Sequence, residues 1–257
     1  MRYGLIGEKL EHSYSKIIHE KLADYRYDLI PLNQEEFGKF MTAKEFTAIN
    51  VTIPYKQRVI PYLDELHPTA KAVGAVNTIV NKEGTLTGYN TDFYGFEYML
   101  LKNAITIKGK KCMVLGNGGA AKAVIAVLKH LMAGEILLVS RTPSGEAISY
   151  EECHQQHKDA EIIVNTTPVG MYPNTNGSPL DLTPFKNCEA VVDLIYNPLH
   201  TKLVLQAEEL GIQSVNGLRM LVAQAKHAAE YFLDKEFDDS VIDPIYHELL
   251  AEFSKEA

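Results

Sequence analysis

Short apolar runs alternate with helical patterns along the chain, which is typical of α/β folds with a mostly parallel sheet. In the N-terminal part, apolar runs predict strands at Tyr3–Gly7, Tyr27–Leu32 and Phe46–Ile53. A hairpin is predicted in which Val76–Val80 pairs with Thr85–Tyr89 across the turn sequence NKEG. This pattern predicts a first α/β lobe with a sheet of its own.

Helices are predicted around and after these strands. One begins at Asn33, because Asn33 and Glu36 have the spacing of a capping box. The segment 92–103 is predicted to be a helix that joins two lobes. Two long helices, 218–233 and 240–255, are expected to return to the first lobe.

A second alternating set begins at Lys110 with the strand KKCMVLG. The helix GAAKAVIAVLKHLMAG follows, closed by Gly134 at its C-terminus. Its residues Val124, Val127, Leu128 and Leu131 form an apolar stripe that would pack on a sheet. Further strands are predicted at EILLVS, DAEIIVN, EAVVDLI and IQSVN, with a helix at TKLVLQAEELG. The predicted fold is therefore α/β with two lobes, formed by residues 1–100 plus 218–257 and by residues 101–217.

Composition and charge narrow the class of protein. The apolar share of 46% and charged share of 23% are those of a folded globular protein, and no apolar run is long enough for a membrane helix. The N-terminus lacks the pattern of a signal peptide, and the three cysteines lack metal-ligand spacing, so a cytoplasmic protein with reduced thiols is expected. A net charge of −8 without a basic run disfavours binding of nucleic acid. Any anionic ligand must be bound by local groups, because the overall charge repels it.

A glycine-rich loop lies between a predicted strand and a predicted helix in VLGNGGAAKA. Gly116, Gly118 and Gly119 would form a tight turn whose backbone N–H groups approach a pyrophosphate at the helix N-terminus. Ala121 occupies the last position of the motif, where alanine is a known variant. The context favours a dinucleotide site, although an ordinary glycine-rich turn remains an alternative on this motif alone.

The next predicted strand ends in Ser140-Arg141-Thr142, at the place where dinucleotide-binding folds contact the adenosine ribose. An acidic residue there favours NAD, whereas an arginine can pair with a 2′-phosphate and stack on adenine. The sequence therefore predicts NADP rather than NAD. The alternative is that Arg141 is a solvated loop residue.

Several segments, in order along the whole chain, resemble the shikimate dehydrogenase family, NADP-dependent enzymes of aromatic amino-acid biosynthesis. They are HSYSKIIH, NVTIPYK, GAVNT, GYNTDFYG, LGNGGAAKA, SRT, NTTPVGM, DLIYNPLHT and NGLRMLVAQA. The resemblance implies an N-terminal α/β substrate domain, a Rossmann-like dinucleotide-binding domain, and reversible NADPH-dependent reduction of 3-dehydroshikimate to shikimate without a metal.

The resemblance also implies roles for individual residues. Lys56 and Asp92 would be the catalytic pair beside the reacting hydroxyl. The shikimate pocket would be lined by Ser13, Ser15, Thr52, Asn77, Tyr196 and Gln224, with the two serines holding the carboxylate. The cofactor would contact Gly116, Asn117, Gly118, Gly119 and Ala120 at the pyrophosphate, Ser140, Arg141 and Thr142 near the 2′-phosphate, and Leu194 and Gly217 at the nicotinamide.

The residue types themselves allow simpler explanations. Lys56 and Asp92 both follow predicted strands of one lobe, where strand ends share a sheet edge and can meet a ligand. A solvated lysine and a helix N-cap are the alternatives. Ser13 and Ser15 could cap a helix, Tyr196 could be a core aromatic, and Gln224 could make a structural hydrogen bond. As amides, Asn77 and Gln224 suit discrimination between ring hydroxyls, because each donates and accepts.

The chain also departs from the family pattern. Lys16, Glu20 and Asn117 replace residues that the family usually carries. The segment after Arg141 is short, and Gly145 stands where a second basic residue is usual, so we expect NADP preference with weak affinity.

An NAD-dependent quinate/shikimate dehydrogenase and a non-catalytic ligand sensor are the alternative functions. The sequence does not define the oligomeric state, and a homodimer is one candidate.

Overall fold

The computed structural model describes residues 2–11 and 13–256. The chain forms two compact units: unit 1 comprises Met1–Gly95 and Leu221–His247, and unit 2 comprises Phe96–Met220 and Glu248–Ala257. Relative to the division predicted from the sequence, residues 96–100, 218–220 and 248–257 belong to unit 2 rather than to the first domain. Each unit contains a sheet with helices, which confirms the α/β fold class.

Unit 1 is built on a six-stranded mixed sheet. Its strands are β1 (Tyr3–Gly7), β2 (Tyr27–Pro31), β3 (Ala48–Val51), β4 (Glu65–Leu66), β5 (Thr78–Lys82) and β6 (Thr85–Tyr89). They lie in the order β2-β1-β3-β5-β6-β4. β1 pairs in parallel with β2 and β3, whereas β5 runs antiparallel to both β3 and β6 because a hairpin reverses the chain.

Both faces of this sheet are buried. Ile6, Ile49 and Ile79 belong to one apolar cluster, and their strand neighbours Ala48 and Val80 belong to another. This is the two-residue alternation of a β-strand, in which successive side chains point to opposite faces.

One helix of unit 1, α2, begins where its sequence signal indicated. Unit 1 contains α1 (Ser15–Leu22), α2 (Gln34–Ala43) and α3 (Pro68–Val73). At the start of α2, the Asn33 side chain accepts a hydrogen bond from Glu36 N (3.0 Å), and the Asn33 N–H donates to the Glu36 carboxylate (2.8 Å), so the predicted capping box is confirmed. Three helices contribute residues to both units: α4 (Asp92–Lys102), α8 (Leu218–Leu233) and α9 (Ile242–Glu256).

Several predicted strand boundaries in unit 1 were wrong: β2 ends at Pro31 rather than Leu32, β3 begins at Ala48 rather than Phe46, and β5 begins at Thr78 rather than Val76. β3 ends at Val51 rather than Ile53, and the chain turns at Thr52, whose carbonyl accepts a hydrogen bond from Tyr55 N (2.9 Å). In the hairpin, β5 runs two residues further than predicted, so the turn is only Glu83–Gly84. Both turn residues have positive φ (54° and 91°), as in the tight turns whose twist matches that of the flanking strands.

Unit 2 is built on a five-stranded, fully parallel sheet. Its strands are β7 (Lys111–Leu115), β8 (Glu135–Val139), β9 (Ile162–Asn165), β10 (Ala190–Asp193) and β11 (Gln213–Val215), and its helices are α5 (Gly119–His130), α6 (Tyr150–Gln156) and α7 (Lys202–Glu209). The strands lie in the order β11-β10-β9-β7-β8. This is a doubly wound order with its switch point between β7 and β9, where ligands bind beyond the carboxyl ends of the strands.

β8 is an edge strand of this sheet. In the six-stranded dinucleotide-binding order, a further strand lies beyond the second one. Here the chain after Arg141 forms a single bridge between Val139 and Ile148 and then the seven-residue α6. The short segment noted in the sequence therefore leaves this side of the sheet without its outer strand.

Helix α5 packs its predicted stripe on the sheet but ends earlier than predicted. Val124, Val127 and Leu128 are fully buried, whereas Leu131, the fourth residue of the predicted stripe, lies beyond the helix and is half-buried. The helix stops at His130, and Met132 rather than Gly134 adopts the left-handed conformation (φ 58°). Glycine is needed at position 134 for a different reason, because a Cβ there would collide with the Gly109 carbonyl.

Within the described residues, no helix is long and apolar enough to span a membrane.

Candidate active site

Lys56 lies on a loop of unit 1 that is fixed on both sides. The preceding Tyr55 ring is fully buried, stacks on Phe37 (centroids 4.2 Å apart) and donates its hydroxyl to the Leu32 carbonyl (2.7 Å). The Lys56 carbonyl accepts a hydrogen bond from Val76 N (2.7 Å). The lysine side chain is 17% exposed, so it is not the freely solvated group that its residue type usually is.

Lys56 Nζ contacts Asp92 Oδ2 at 2.6 Å, and the Asp92 side chain is 9% exposed. Asp92 opens α4, where the positive end of the helix dipole favours a carboxylate. It does not serve as the side-chain cap: Asn90 Oδ1 accepts the hydrogen bond from Phe93 N (3.2 Å), and the second Asp92 oxygen accepts from Asn77 Nδ2 (3.0 Å). The structure therefore brings the two predicted catalytic residues into a direct ion pair.

Thr91 links this pair to two further predicted residues. Asn77 Oδ1 accepts from Thr91 N (2.7 Å), and Asn77 Nδ2 donates to Thr91 Oγ1 (3.0 Å). Thr91 Oγ1 in turn donates to Gln224 Oε1 (3.3 Å), whose amide nitrogen donates to Leu221 O (3.0 Å). We refer to Lys56, Asn77, Thr91, Asp92 and Gln224 as the Lys56–Asp92 cluster.

Thr91 is a member that the sequence reasoning missed. It is fully buried and directly precedes Asp92 in the segment GYNTDFYG. A hydroxyl beside a candidate catalytic carboxylate is a usable signal in sequence, because it can bridge neighbouring polar groups by donating and accepting.

Ser13, Ser15 and Thr52 also lie in unit 1. Ser13 Oγ accepts a hydrogen bond from Ser15 N (3.3 Å) just before α1, but the N-cap residue of this helix is Tyr14 and no side chain of the described residues makes a capping hydrogen bond to it. Thr52 follows β3, donates its N–H to Ile6 O (2.9 Å) and is half-buried. The roles of these three residues toward a ligand remain predictions.

The glycine loop of unit 2 has the geometry that a phosphate site needs. Gly116 directly follows β7 with φ 100°, and a Cβ there would press on Thr166 and Thr167. Gly118 precedes α5 with open space around it, and no side chain of the described residues caps this helix. The first N–H groups of α5 are therefore available to an anion. Asn117 is exposed beside them, and Gly119 and Ala120 form the first turn.

Arg141 borders a hollow of about 410 Å³ in unit 2. Arg141 and Thr142 are exposed, and Ser140 is tied to Ile148 O through its N–H (2.9 Å). The other residues that line the hollow are Pro168, Val169, Gly170, Pro173, Asn174, Asn176 and Gly177. Its mixture of a guanidinium, amides and apolar rings and side chains suits an aromatic group that carries an anionic substituent.

Gly217 and Leu194 are in close contact. The Gly217 N–H donates to Ile195 O (2.9 Å), and a Cβ at Gly217 would overlap the backbone of Leu194. Glycine is therefore required at this position by the close approach of two backbones. Tyr196, two residues further along the same loop, lies in unit 2 and packs edge-on against Phe253.

A buried carboxylate holds the start of this loop. Asp193 is fully buried at the end of β10 and accepts hydrogen bonds from Asn165 Nδ2 (2.9 Å), Ile195 N (3.1 Å) and Thr201 Oγ1 (2.7 Å). Burial raises the pKa of Asp193 to about 6, against the opposing effect of these donors. The sequence reasoning did not select Asp193, because an acidic residue at a strand end carries no sign of its burial.

No group of three or more His, Cys, Asp or Glu side chains is placed to hold a metal ion within residues 2–11 and 13–256.

Unit 2 thus has the sheet order, glycine loop and exposed helix N-terminus of the dinucleotide-binding α/β proteins, and unit 1 carries a partly buried ion pair with amides. The family model of the shikimate dehydrogenase substrate binding domain matches residues 5–79. A shikimate dehydrogenase (NADP(+)) from Clostridium perfringens (strain SM101 / Type A) is 39% identical, over 98% of this chain and 99% of its own length.

Solved structures of shikimate dehydrogenases are also similar to this chain. The crystal structure of shikimate dehydrogenase 1 from Peptoclostridium difficile has a TM-score of 0.91 and 37% identity, covering 98% of this chain and 99% of that one. Shikimate 5-dehydrogenase from Thermus thermophilus, in complex with NADP(H) and shikimate, has a TM-score of 0.86 and 28% identity, covering 96% and 99%. The chain belongs to the shikimate dehydrogenase family.

Proposed function

We propose that this enzyme catalyses the reversible NADPH-dependent reduction of 3-dehydroshikimate to shikimate. The observation that carries the proposal is the Lys56–Asp92 pair, with its 2.6 Å contact and low exposure. A protein that only binds a ligand has no need of a proton-transfer pair, which argues against a sensor. The names of the relatives support the same reaction.

Lys56 is proposed as the acid/base. In the oxidation of shikimate, a proton must leave the hydroxyl as the hydride leaves the same carbon, and Lys56 Nζ would accept it. In the reverse direction the Lys56 ammonium would donate that proton to the carbonyl oxygen. Asp92 holds Nζ in place through Oδ2, and Asn77 holds the other carboxylate oxygen (3.0 Å), so the pair is oriented before the substrate binds.

The other polar residues of unit 1 are proposed to recognise the substrate. Asn77 and Gln224 present amides that distinguish hydroxyls by donating and accepting. Ser13 and Ser15, at the beginning of α1, offer hydroxyl and N–H donors to a carboxylate. Thr52 completes the shikimate-binding set that is proposed within unit 1. Local donors are needed because the net charge of −8 repels an anion at long range.

NADP is the proposed cofactor, and it supplies the hydride acceptor when bound. The chain fits it: Gly116, Asn117, Gly118, Gly119 and Ala120 present backbone donors to a pyrophosphate, and the Arg141 hollow suits an adenosine 2′-phosphate. Ser140 and Thr142 flank Arg141, and Leu194 and Gly217 would border the nicotinamide. Because β8 is an edge strand and Gly145 stands near the place where the family usually carries a second basic residue, the affinity for NADP is expected to be low.

Steady-state kinetics, followed by the absorbance of the NADPH or NADH formed, test this proposal. Shikimate with NADP+ should give the highest kcat/KM among the four combinations of shikimate or quinate with NADP+ or NAD+. Higher kcat/KM with quinate and NAD+ would establish the alternative dehydrogenase, and absence of turnover with every pair would favour a binding protein.

Location and assembly are proposed separately. Cys112, Cys153 and Cys188 are free and buried, which suits the cytoplasm. A homodimer is the working proposal for the assembly, to be checked by light scattering on the purified protein.

A further inference from the structure

A second set of buried polar side chains adjoins the Lys56–Asp92 cluster in the unit 1 sheet. Asn50 on β3 and Thr78 on β5 are 5% and 0% exposed. Asn50 Nδ2 donates to Thr78 Oγ1 (3.0 Å) and to the Asn77 carbonyl (3.2 Å). Tyr27 donates its hydroxyl to Asn50 Oδ1 (2.7 Å). Neither Asn50 nor Thr78 belongs to the predicted site.

The orientation of the Asn50 amide follows from its partners. The Asn77 carbonyl can only accept, so the nitrogen of Asn50 faces it, and the oxygen faces Tyr27. The same nitrogen also donates to Thr78 Oγ1, which occupies that hydroxyl oxygen as an acceptor. The Thr78 proton is then directed to another acceptor, and Asn77 Oδ1 at 3.1 Å is nearer than Thr91 Oγ1 at 3.4 Å.

The orientation of the Asn77 amide is settled in the same way. Its oxygen receives hydrogen bonds from Thr91 N (2.7 Å) and from the Thr78 hydroxyl. Its nitrogen must therefore face Asp92 Oδ1 (3.0 Å). The donors run in one direction, from Asn50 through Thr78 and Asn77 to Asp92, whose second oxygen contacts Lys56.

We propose that Thr78 and Asn50 are positioning residues for the reaction, which keep the Asn77 amide nitrogen on Asp92 and thereby hold the Lys56–Asp92 pair in its reactive geometry. They act through Asn77 and are not proposed to touch the substrate. The proposal rests on the proposed function, because it assigns these residues to the proton-transfer pair of that reaction.

Thr78→Val tests the proposal, because valine keeps the shape of threonine and removes the hydroxyl. Loss of one hydrogen bond between neutral groups predicts that kcat for shikimate oxidation falls roughly 3- to 10-fold. Thr78→Ser retains the hydroxyl, and its kcat should stay within about twofold of wild type. If Thr78→Val does not fold, Thr78→Ala removes the same hydroxyl with less bulk and carries the same expectation.

Ile79→Val is the matched control. Ile79 is the fully buried neighbour of Thr78 on β5 and belongs to the apolar cluster on the opposite face of the sheet. This substitution lowers the melting temperature by loss of packing without touching the buried polar side chains. Its kcat should match wild type, whereas a merely structural role of Thr78 predicts that Thr78→Val and Ile79→Val behave alike.

Lys56→Ala, assayed in parallel, distinguishes failure of the positioning role from failure of the proposed function. If Lys56→Ala loses turnover while Thr78→Val and Thr78→Ala keep the kcat of Ile79→Val, the positioning role is wrong and the proposed function stands. If Lys56→Ala keeps wild-type turnover, the proposed proton-transfer pair itself is wrong. Loss of kcat in Thr78→Val with recovery in Thr78→Ser supports the positioning role.

Discussion

Substitution of His19 by glutamine should change how strongly acid destabilises unit 1. His19 lies on α1 and is fully buried, stacked on Tyr27 (centroids 4.2 Å apart), with its Nδ1 2.6 Å from the Tyr25 hydroxyl. Burial lowers the pKa of His19 to about 3, from 6.5. Native His19 is therefore neutral at all pH values near neutrality.

The sign and size of the effect follow from linkage. Below its unfolded pKa of 6.5 the unfolded chain binds a proton at His19 that the native state excludes, so stability falls as the pH falls from 6.5 toward 3. Each pH unit in this window removes about 1.4 kcal/mol. Between about pH 7.5 and about pH 5, His19 alone should remove about 2 kcal/mol from the free energy of unfolding.

Urea unfolding of wild type and His19→Gln, followed by circular dichroism at both pH values, measures this difference. Glutamine cannot titrate, so the variant should lose about 2 kcal/mol less than wild type on acidification, whatever its constant loss of packing. Other titrating groups, including Asp193, are present in both proteins and cancel in the comparison. Equal acid sensitivity of the two proteins would refute the argument that buried His19 is neutral.

Three further substitutions test other parts of the structure. Arg141→Ala should raise KM for NADP+ about tenfold and leave KM for NAD+ nearly unchanged, because only NADP+ carries the 2′-phosphate; equal changes would contradict that contact. Gly217→Ala should lower the free energy of unfolding by about 1–3 kcal/mol, since the methyl group meets the Leu194 backbone, and an unchanged melting temperature would count against that close approach. Asn33→Ala should lower the free energy of unfolding, measured with urea, by about 1 kcal/mol through loss of the α2 capping box. An unchanged free energy of unfolding would contradict a stabilising role of this cap.

Features encoded by neighbouring residues were predictable from the sequence. The capping box of Asn33 and Glu36 needs only a three-residue spacing, and the apolar stripe of α5 needs only its period. The pairing of Lys56 with Asp92 could be expected because both follow strands at one sheet edge, and the structure places them 2.6 Å apart.

Features that depend on tertiary packing were not predictable in this way. Asn50 and Thr78 read as ordinary strand residues, and only the pairing of β3 with β5 brings their side chains together. The end of α5 at His130 was missed because Met132, not the nearby Gly134, takes the left-handed conformation. Gly134 is present because the Gly109 backbone approaches it closely, and a pattern of neighbouring residues cannot predict that contact.

The central claim is that Lys56, held by Asp92, transfers the proton in shikimate oxidation. The most direct measurement compares wild type with Lys56→Ala for NADP+ reduction by shikimate, with shikimate binding measured by calorimetry on the same samples. We expect kcat to fall by roughly 10² or more while binding stays measurable. Wild-type turnover in Lys56→Ala would contradict the acid/base assignment.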